Sequence, residues 1–294
     1  MTPTVSIGLP VYNGARFLRR SLDALLAQSF RDFELVISDN ASTDATPQII
    51  SEYAARDSRV RHMRAAVNGG VSVNFRRVLT ESSGRYFMWA GCDDWWAPTF
   101  VERVVGALER DHGAVVAMCD VQREDESGAT LDTVRFSGTM DPSRMTPARL
   151  ALLLAEGRPF HLFVYGLFRA DVLRRGFNGF APVVAADRLL MCRMALTGGF
   201  TPVGEVLHKR VVRRTSIAER YGDEGIGQLW RSSSGRWRLT VSAGPYLWES
   251  PDVPFRRKLL IPVIVLRFAK ASLGYSLVQA GLIRPRGGAR PPAC

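Results

Sequence analysis

Cysteine is scarce. Four residues in 294, Cys92, Cys119, Cys192 and Cys294, stand far apart with no C-x-x-C spacing. That excludes the common zinc and dithiol motifs and argues against a disulfide framework, so a reducing, cytoplasmic setting is expected. No apolar run reaches the roughly 20 residues of a membrane span. The longest approach, "KLLIPVIVLRFAKASLGYSLVQAGLI", is interrupted by Pro262, Arg267 and Lys270. The opening "MTPTVSIGLP" has neither the charged start nor the apolar core of a signal peptide. No G-x-G-x-x-G follows the first strand pattern and no G-x-x-x-x-G-K-[ST] occurs, which removes a Rossmann dinucleotide site and the P-loop hydrolases. Internal repeats are lacking, and only the end, "RPRGGARPPAC", reads as a disordered tail.

Acid is also short relative to base: 28 Asp and Glu against 39 Lys and Arg give a net charge of +11. Such a balance points to an anionic partner, whether nucleic acid, anionic lipid or a phosphorylated substrate. No nucleic-acid motif or aromatic-basic platform accompanies it, so nucleic acid is not expected.

What is present is an alternation of strand and helix patterns. "TVSIGLP" reads as a strand with Val5, Ile7 and Leu9 on one side, "FELVISD" is a mostly apolar run of the kind a buried parallel strand shows, and "RVRHMR", "RYFMWA" and "AVVAMCD" continue the series. Between them, "ARFLRRSLDALLAQ", "NASTDATPQIISEYAARD", "VNFRRVLTES" and "PTFVERVVGALERD" read as helices, with Asp44 or Thr46 as cap and Pro47 in the first turn of the second. This order predicts an α/β protein with a mostly parallel central sheet flanked by helices. Beyond Val121, "QREDESGATLD" reads as a polar turn, "TPARLALLLAEG" as a capped helix, "HLFVYGLFR" as a strand and "DRLLMCRMALTGG" as a helix. Residues 1–216 are expected to form the main domain, in halves of about 1–120 and 121–216. Residues 217–294 are expected to form a helical, basic extension.

In open α/β sheets ligands bind beyond the carboxyl ends of the strands. "PVYNG", "SDNASTD" and "GCDD" all fall at such ends. Each is also a plain turn sequence, and Asp93 with Asp94 also reads as an acidic pair complementing a helix N-terminus. Their matched positions on successive strands favour one shared site. Carboxylates in so basic a chain suggest a divalent cation bridging to phosphate.

The run "VSIGLPVYNGARFLRRSLDALLAQSFRDFELVISDNASTDATPQII", followed by "NGGVSVNFRRVLTESSGRYFMWAGCDDWWAPTFVE", closely resembles the family 2 glycosyltransferases over about Thr4 to Thr215. The resemblance implies the GT-A fold and an inverting transferase that uses a nucleotide-activated sugar, commonly a uridine diphosphate sugar, with Mn²⁺ or Mg²⁺. By position it implies that Pro10, Tyr12 and Asn13 line the nucleotide pocket. Asp39 would meet the nucleobase, Asp93 would lie near ribose or diphosphate, and Asp94 would hold the metal. Asp187 matches the catalytic base, although Ala186 stands where relatives carry a preceding acid, and a helix cap is the alternative. Gly91 and Cys92 stand where relatives are often acidic or polar. The usual histidine of the last motif has no counterpart in "HKRVVRRTS": His208 comes early, and Arg210, Arg213 or Arg214 are the candidates to meet the diphosphate.

A glycan or lipid-linked acceptor is implied, within cell-surface polysaccharide or glycolipid synthesis. "RPFHLFVYGLFRADVL" is the candidate acceptor segment, with His161 and Tyr165 either packed or facing the acceptor. Arg256, Arg257, Lys258, Arg267 and Lys270 interleave with apolar residues, which suits either an anionic membrane surface on the cytoplasmic side or a solvated helix face. Two other readings stay open: a sugar-nucleotide-binding protein without catalysis, and a sugar nucleotidyltransferase, whose glycine-rich loop "PVYNGARF" lacks.

Overall fold

The computed structural model describes residues 2–157, 159–177, 186–213 and 233–279. The chain divides into two compact units. One comprises Met1–Arg144, Leu162–Arg175 and Gly199–Val212, the other Met145–His161, Gly176–Gly198 and Arg213–Cys294.

The first unit is an α/β sheet. Strands β1 (Val5–Val11), β2 (Phe33–Asp39), β3 (Val60–Arg64) and β4 (Tyr86–Trp89) run parallel in the order β3-β2-β1-β4. Every residue of β1 and β2 is buried, as a parallel sheet covered on both faces requires. Between the strands run α1 (Ala15–Leu26), α2 (Thr46–Arg56) and α3 (Val71–Thr80). Leu18, Leu22 and Leu25 of α1 are buried at 3.6-residue spacing, which turns one face of that helix inward. Pro10 has no N–H for a ladder. It falls beyond the β1–β4 pairing, which ends at Gly8 and Trp89.

The sheet continues through a two-residue β5 (Trp95–Trp96), then α4 (Phe100–Arg110), β6 (Ala114–Glu124), β7 (Thr130–Val134), β8 (Leu167–Arg169), α6 (Ala170–Phe177) and β9 (Gly199–Val211). Antiparallel β8 lies between β4 and β6, and β9 pairs parallel with β6 and antiparallel with β5. Three expectations change here. The polar stretch after Val121 is the end of β6 and a hairpin into β7, because an edge strand satisfies its backbone without an apolar face. Of "HLFVYGLFR", expected as one strand, Leu167–Arg169 is strand, while its start belongs to the 3-10 helix Pro159–Tyr165, since a short apolar run does not distinguish the two. Strand β9 was not expected at all. It is the longest strand, and Pro202, Gly204 and interspersed charges break its period-two pattern.

The second unit is helical. Its elements are α5 (Pro147–Ala155), α7 (Ala186–Thr197), α8 (Ser233–Trp248), α9 (Phe255–Lys258) and α10 (Ile261–Gln279). Thr146 caps α5 as expected, its hydroxyl accepting the Arg149 N–H at 3.2 Å. Arg193 of α7 is buried, donates to the Gly176 carbonyl at 2.9 Å and lies over the Tyr246 ring. Arg257 donates to the Leu196 and Thr197 carbonyls, placing a cation at the C-terminus of α7. Helices α8 and α10 pack antiparallel, with Thr240 Oγ1 3.2 Å from Ser272 Oγ and Gly244 against Val265. Burial pushes the Cys119 and Cys192 thiols up to about 12, and both pack as small apolar groups. The expected boundary at 216/217 lies outside the described residues.

Candidate functional site

Three loops leave the same edge of the parallel sheet, after β1, β2 and β4. The first two are joined by hydrogen bonds. Asn13, in the left-handed region with φ 47°, donates its N–H to Ser42 Oγ at 2.8 Å, and its Oδ1 accepts the Thr43 N–H at 2.8 Å. Gly14 N–H donates to Thr46 Oγ1 at 2.9 Å. The Asp44 carboxylate spans both helix starts: Oδ2 accepts the Ala15 N–H at 3.1 Å and Oδ1 the Thr46 N–H at 2.9 Å. The cap position of α2 itself is Ala45, not Asp44 or Thr46. Burial pushes the Asp44 carboxyl up, but the Thr46 hydroxyl and these N–H donors outweigh it and hold it below its ordinary 3.8.

Gly14 also brings the first loop against the third. A Cβ there would meet Val11 Cγ2 at 2.6 Å and Cys92 Sγ at 3.2 Å, so half-buried Cys92 fills the space that glycine leaves. Pro10 is buried in β1, Tyr12 is half-buried and Asn13 exposed.

Asp39 ends β2 and is 2% exposed. Its Oδ1 accepts the Ser42 N–H at 2.9 Å, while Oδ2 lies 3.2 Å from Arg64 Nε yet receives no directed hydrogen bond among the described residues. A buried carboxylate oxygen with a cation beside it and no donor aimed at it is an acceptor in waiting. Arg64, which sequence reasoning did not single out, also donates to the Ser42 carbonyl at 2.9 Å.

The acidic loop is held from two sides. Ser21 Oγ of α1 donates to the Asp94 carbonyl at 2.6 Å. The Asp94 side chain, 3% exposed, turns inward: Oδ2 lies 3.1 Å from His208 Nε2 and Oδ1 accepts the Val211 N–H at 3.1 Å. Burial pushes its carboxyl up, but His208, Arg210 and the Val211 N–H together hold it below the usual range. His208 is fully buried and stacks on Trp96 with centroids 5.3 Å apart and planes 6° from parallel. Asp93 is half-buried. A Cβ on Gly91 would meet Asp94 Oδ2 at 2.8 Å and Asp93 Oδ1 at 3.1 Å. The missing side chain at Gly91 is therefore what lets the two carboxylates converge.

Of the basic candidates, Arg210 lies over the Tyr165 ring at 4.7 Å, and Tyr165 lies 6.2 Å from His208, so these join the Asp94 neighbourhood. Arg213 is half-buried just past β9. Arg214 and the His161 side chain lie outside the described residues. Asp187 is half-buried in the first turn of α7, its Oδ1 accepting the Arg188 N–H at 2.9 Å.

The profile of "Glycosyl transferase family 2" matches residues 6–177, more than half of the chain. The chain belongs to this family. An uncharacterized glycosyltransferase of Rickettsia prowazekii is 29% identical over 135 residues, covering 46% of this chain and 41% of the relative. The chain thus matches less than half the length of that relative. Among solved structures, residues 1–349 of Staphylococcus aureus TarS in complex with UDP-GlcNAc are similar with a TM-score of 0.60 at 15% identity, covering 97% of this chain and 93% of that one. The mannosyltransferase PcManGT of Pyrobaculum calidifontis, in complex with GDP-Man and Mn²⁺, has a TM-score of 0.56 at 18% identity, covering 100% and 78%. At such identity these likenesses establish the fold, which is GT-A.

For a family 2 chain the acidic loop is where a cation is expected, and its donor set bears on that. Among the described residues no three His, Cys, Asp or Glu side chains are arranged around one metal position. Two carboxylates do converge over Gly91. That suits a hard cation of the Mg²⁺ or Mn²⁺ type, which takes one or two carboxylates and completes its shell with water and phosphate oxygens.

Proposed function

We propose that this family 2 chain is an inverting glycosyltransferase that moves a sugar from a nucleoside diphosphate donor to an acceptor hydroxyl. The observation that carries the reading is the junction of the three loops: Asp39, the Asn13–Ser42 bridge and the Asp93–Asp94 pair share one edge of the sheet. Asp39 Oδ2, lacking a directed donor, suits the imide N–H of a uracil ring, so a uridine diphosphate sugar is the proposed donor. Pro10, Tyr12 and Asn13 line the same pocket in this reading.

Asp93 and Asp94 are the proposed holders of a divalent cation, which when bound offsets charge on the leaving diphosphate. Asp94, the proposed metal ligand, is held in place by His208 and the Val211 N–H, and Asp93 lies beside it toward the ribose or diphosphate. Arg210, and with it Arg213 and Arg214, supply positive charge toward the diphosphate. Asp187 takes the proton of the acceptor hydroxyl as its oxygen bonds to the anomeric carbon and the bond to diphosphate breaks, inverting that carbon. His161 and Tyr165 belong to the proposed acceptor side. The acceptor is a glycan or lipid-linked sugar, handled on the cytoplasmic side in cell-surface polysaccharide or glycolipid synthesis.

The test is a panel of nucleotide sugars assayed for binding and for turnover with and without Mn²⁺ and Mg²⁺, repeated with Asp187→Asn. Turnover is expected to fall by about 10²–10⁴-fold in the variant with donor binding retained. Full activity of Asp187→Asn removes the base assignment. Binding without turnover across the panel favours the non-catalytic reading.

A further inference from the structure

The second unit departs from the usual surface of a water-soluble domain. Of the eleven large apolar side chains most exposed among the described residues, eight lie between Trp237 and Leu273. They are ordered. On α10, Leu259 just before it and then Val263, Leu266 and Leu273 follow one another at three- and four-residue steps or their sum, with Leu266 67% exposed. The opposite face of α10, Ile261, Ile264, Phe268 and Ser272, is buried inside the unit. On α8, Trp237, Val241 and Trp248 form a second exposed row, with Val241 at 72%, and Phe255 at the head of α9 is 68% exposed. Both helices are thus apolar on an inner and an outer face. Water-soluble monomers rarely leave so many large apolar side chains open on two neighbouring helices.

Charge selects the occupant. From Phe255 to Gln279 the sequence has five basic residues and no acid. Arg257 is engaged at the end of α7 and Arg267 pairs with Glu156. Arg256, Lys258 and Lys270 have no ion pair with any described residue, and Arg256 and Lys270 are exposed. Lys270 stands in the outer row itself, between Leu266 and Leu273. A protein partner that buried this row would have to neutralise that ammonium. A lipid interface takes the leucines into its acyl boundary while the lysine stem extends to the headgroups. Two tryptophans on the neighbouring helix are the residue type that settles at such an interface.

We propose that the outer faces of α8, α9 and α10 dock on an anionic lipid bilayer surface, lying on it without crossing. No helix among the described residues is long and apolar enough to span a membrane. This surface is separate from the transferase reading, and its test needs no sugar donor, so either can fail alone.

The full chain is floated with vesicles of phosphatidylcholine alone and of phosphatidylcholine mixed with phosphatidylglycerol, at low and high salt. Binding is expected only with the anionic mixture, weakening as salt rises. Arg256→Gln/Lys258→Gln/Lys270→Gln is expected to weaken partitioning by about a hundredfold. Leu259→Gln/Leu266→Gln, at exposed positions that leave the folded circular-dichroism spectrum unchanged, is expected to abolish it. Equal binding to neutral vesicles, or none to anionic ones, overturns the proposal. So does a dimer in light scattering that Leu259→Gln/Leu266→Gln dissolves, because the face then belongs to a second copy.

Discussion

The two units treat polarity in opposite ways. The α/β unit takes carboxylates inside and gives them partners: His208 for Asp94, Arg64 for Asp39, and Ser6, Ser83 and Arg61 for Glu34. The helical unit buries one charged side chain among the described residues, Arg193, and leaves much of its apolar surface outside. Buried ion pairs are poor sources of net stability, because desolvation offsets most of the Coulomb gain, but they are severe about geometry. The sheet edge is therefore built for fixed positions of a few side chains. The helical unit is built as a surface.

The largest expected effect comes from breaking the Asp94 latch. Asp94→Ala strands the buried His208 ring, whose Nδ1 has no partner, and leaves the Val211 N–H without its acceptor. Leaving a buried polar group unsatisfied costs about 1–3 kcal/mol for each group. A guanidinium titration followed by near-ultraviolet circular dichroism should show the midpoint falling accordingly, with donor binding lost as the acidic loop loosens. An unchanged midpoint would mean that the latch does not hold the loop, and the contrast between the units would lose its main support.

A second measurement tests the outer face from within one helix. Ile264 is fully buried in α10 and Leu266, two residues on, is 67% exposed. Ile264→Ala should cost about 2–5 kcal/mol. Leu266→Ala should change stability by no more than about 0.5 kcal/mol. A large cost for Leu266→Ala in the isolated protein would show that something covers the face in solution.

This contrast also explains what was legible in the sequence. Strand β2 is buried on both faces and read as an apolar run, β1 read as a strand with Val5, Ile7 and Leu9 on one side although both its faces are buried, and the loops at the ends of β1, β2 and β4 read as polar clusters. Asp39, Asp93, Asp94 and Asn13 stood out for that reason. Strand β9 did not, because Pro202 and Gly204 interrupt it and Glu205, Lys209 and Arg210 obscure its buried positions. With β9 unseen, His208 had no reason to be Asp94's partner. They are 114 residues apart and meet only because Trp96 pairs with His208 across β5 and β9. Gly91 read as a departure from an acidic motif, and the reason for it is steric, visible only once both carboxylates are placed over it. The helical unit was legible as basic and apolar, but the residues that face outward depend on which row α10 gives to its neighbours.

The smallest effect separates a hydrogen-bonded carboxylate from a salt-bridged one. Asp44 is held by hydrogen-bond donors rather than by a cation, the Thr46 hydroxyl and the Thr46 and Ala15 N–H groups, at the starts of α1 and α2. Its folded carboxyl lies below its ordinary 3.8, so between the two values the unfolded chain binds more protons than the folded one. Stability from Asp44 is therefore present above pH 3.8 and is lost as pH falls through the folded value. Asp44→Asn turns one of the two accepting oxygens into a donor and removes the charge, and should lower stability by about 1 kcal/mol at neutral pH, the order of one hydrogen bond's net worth. The difference from the parent should shrink as both are acidified below pH 3.8. Urea midpoints measured across that range give the answer. A gap that persists undiminished in acid would mean that the side chain's shape rather than its charge ties the two loops together, and the polar stitching of the α/β unit would then be steric at this point.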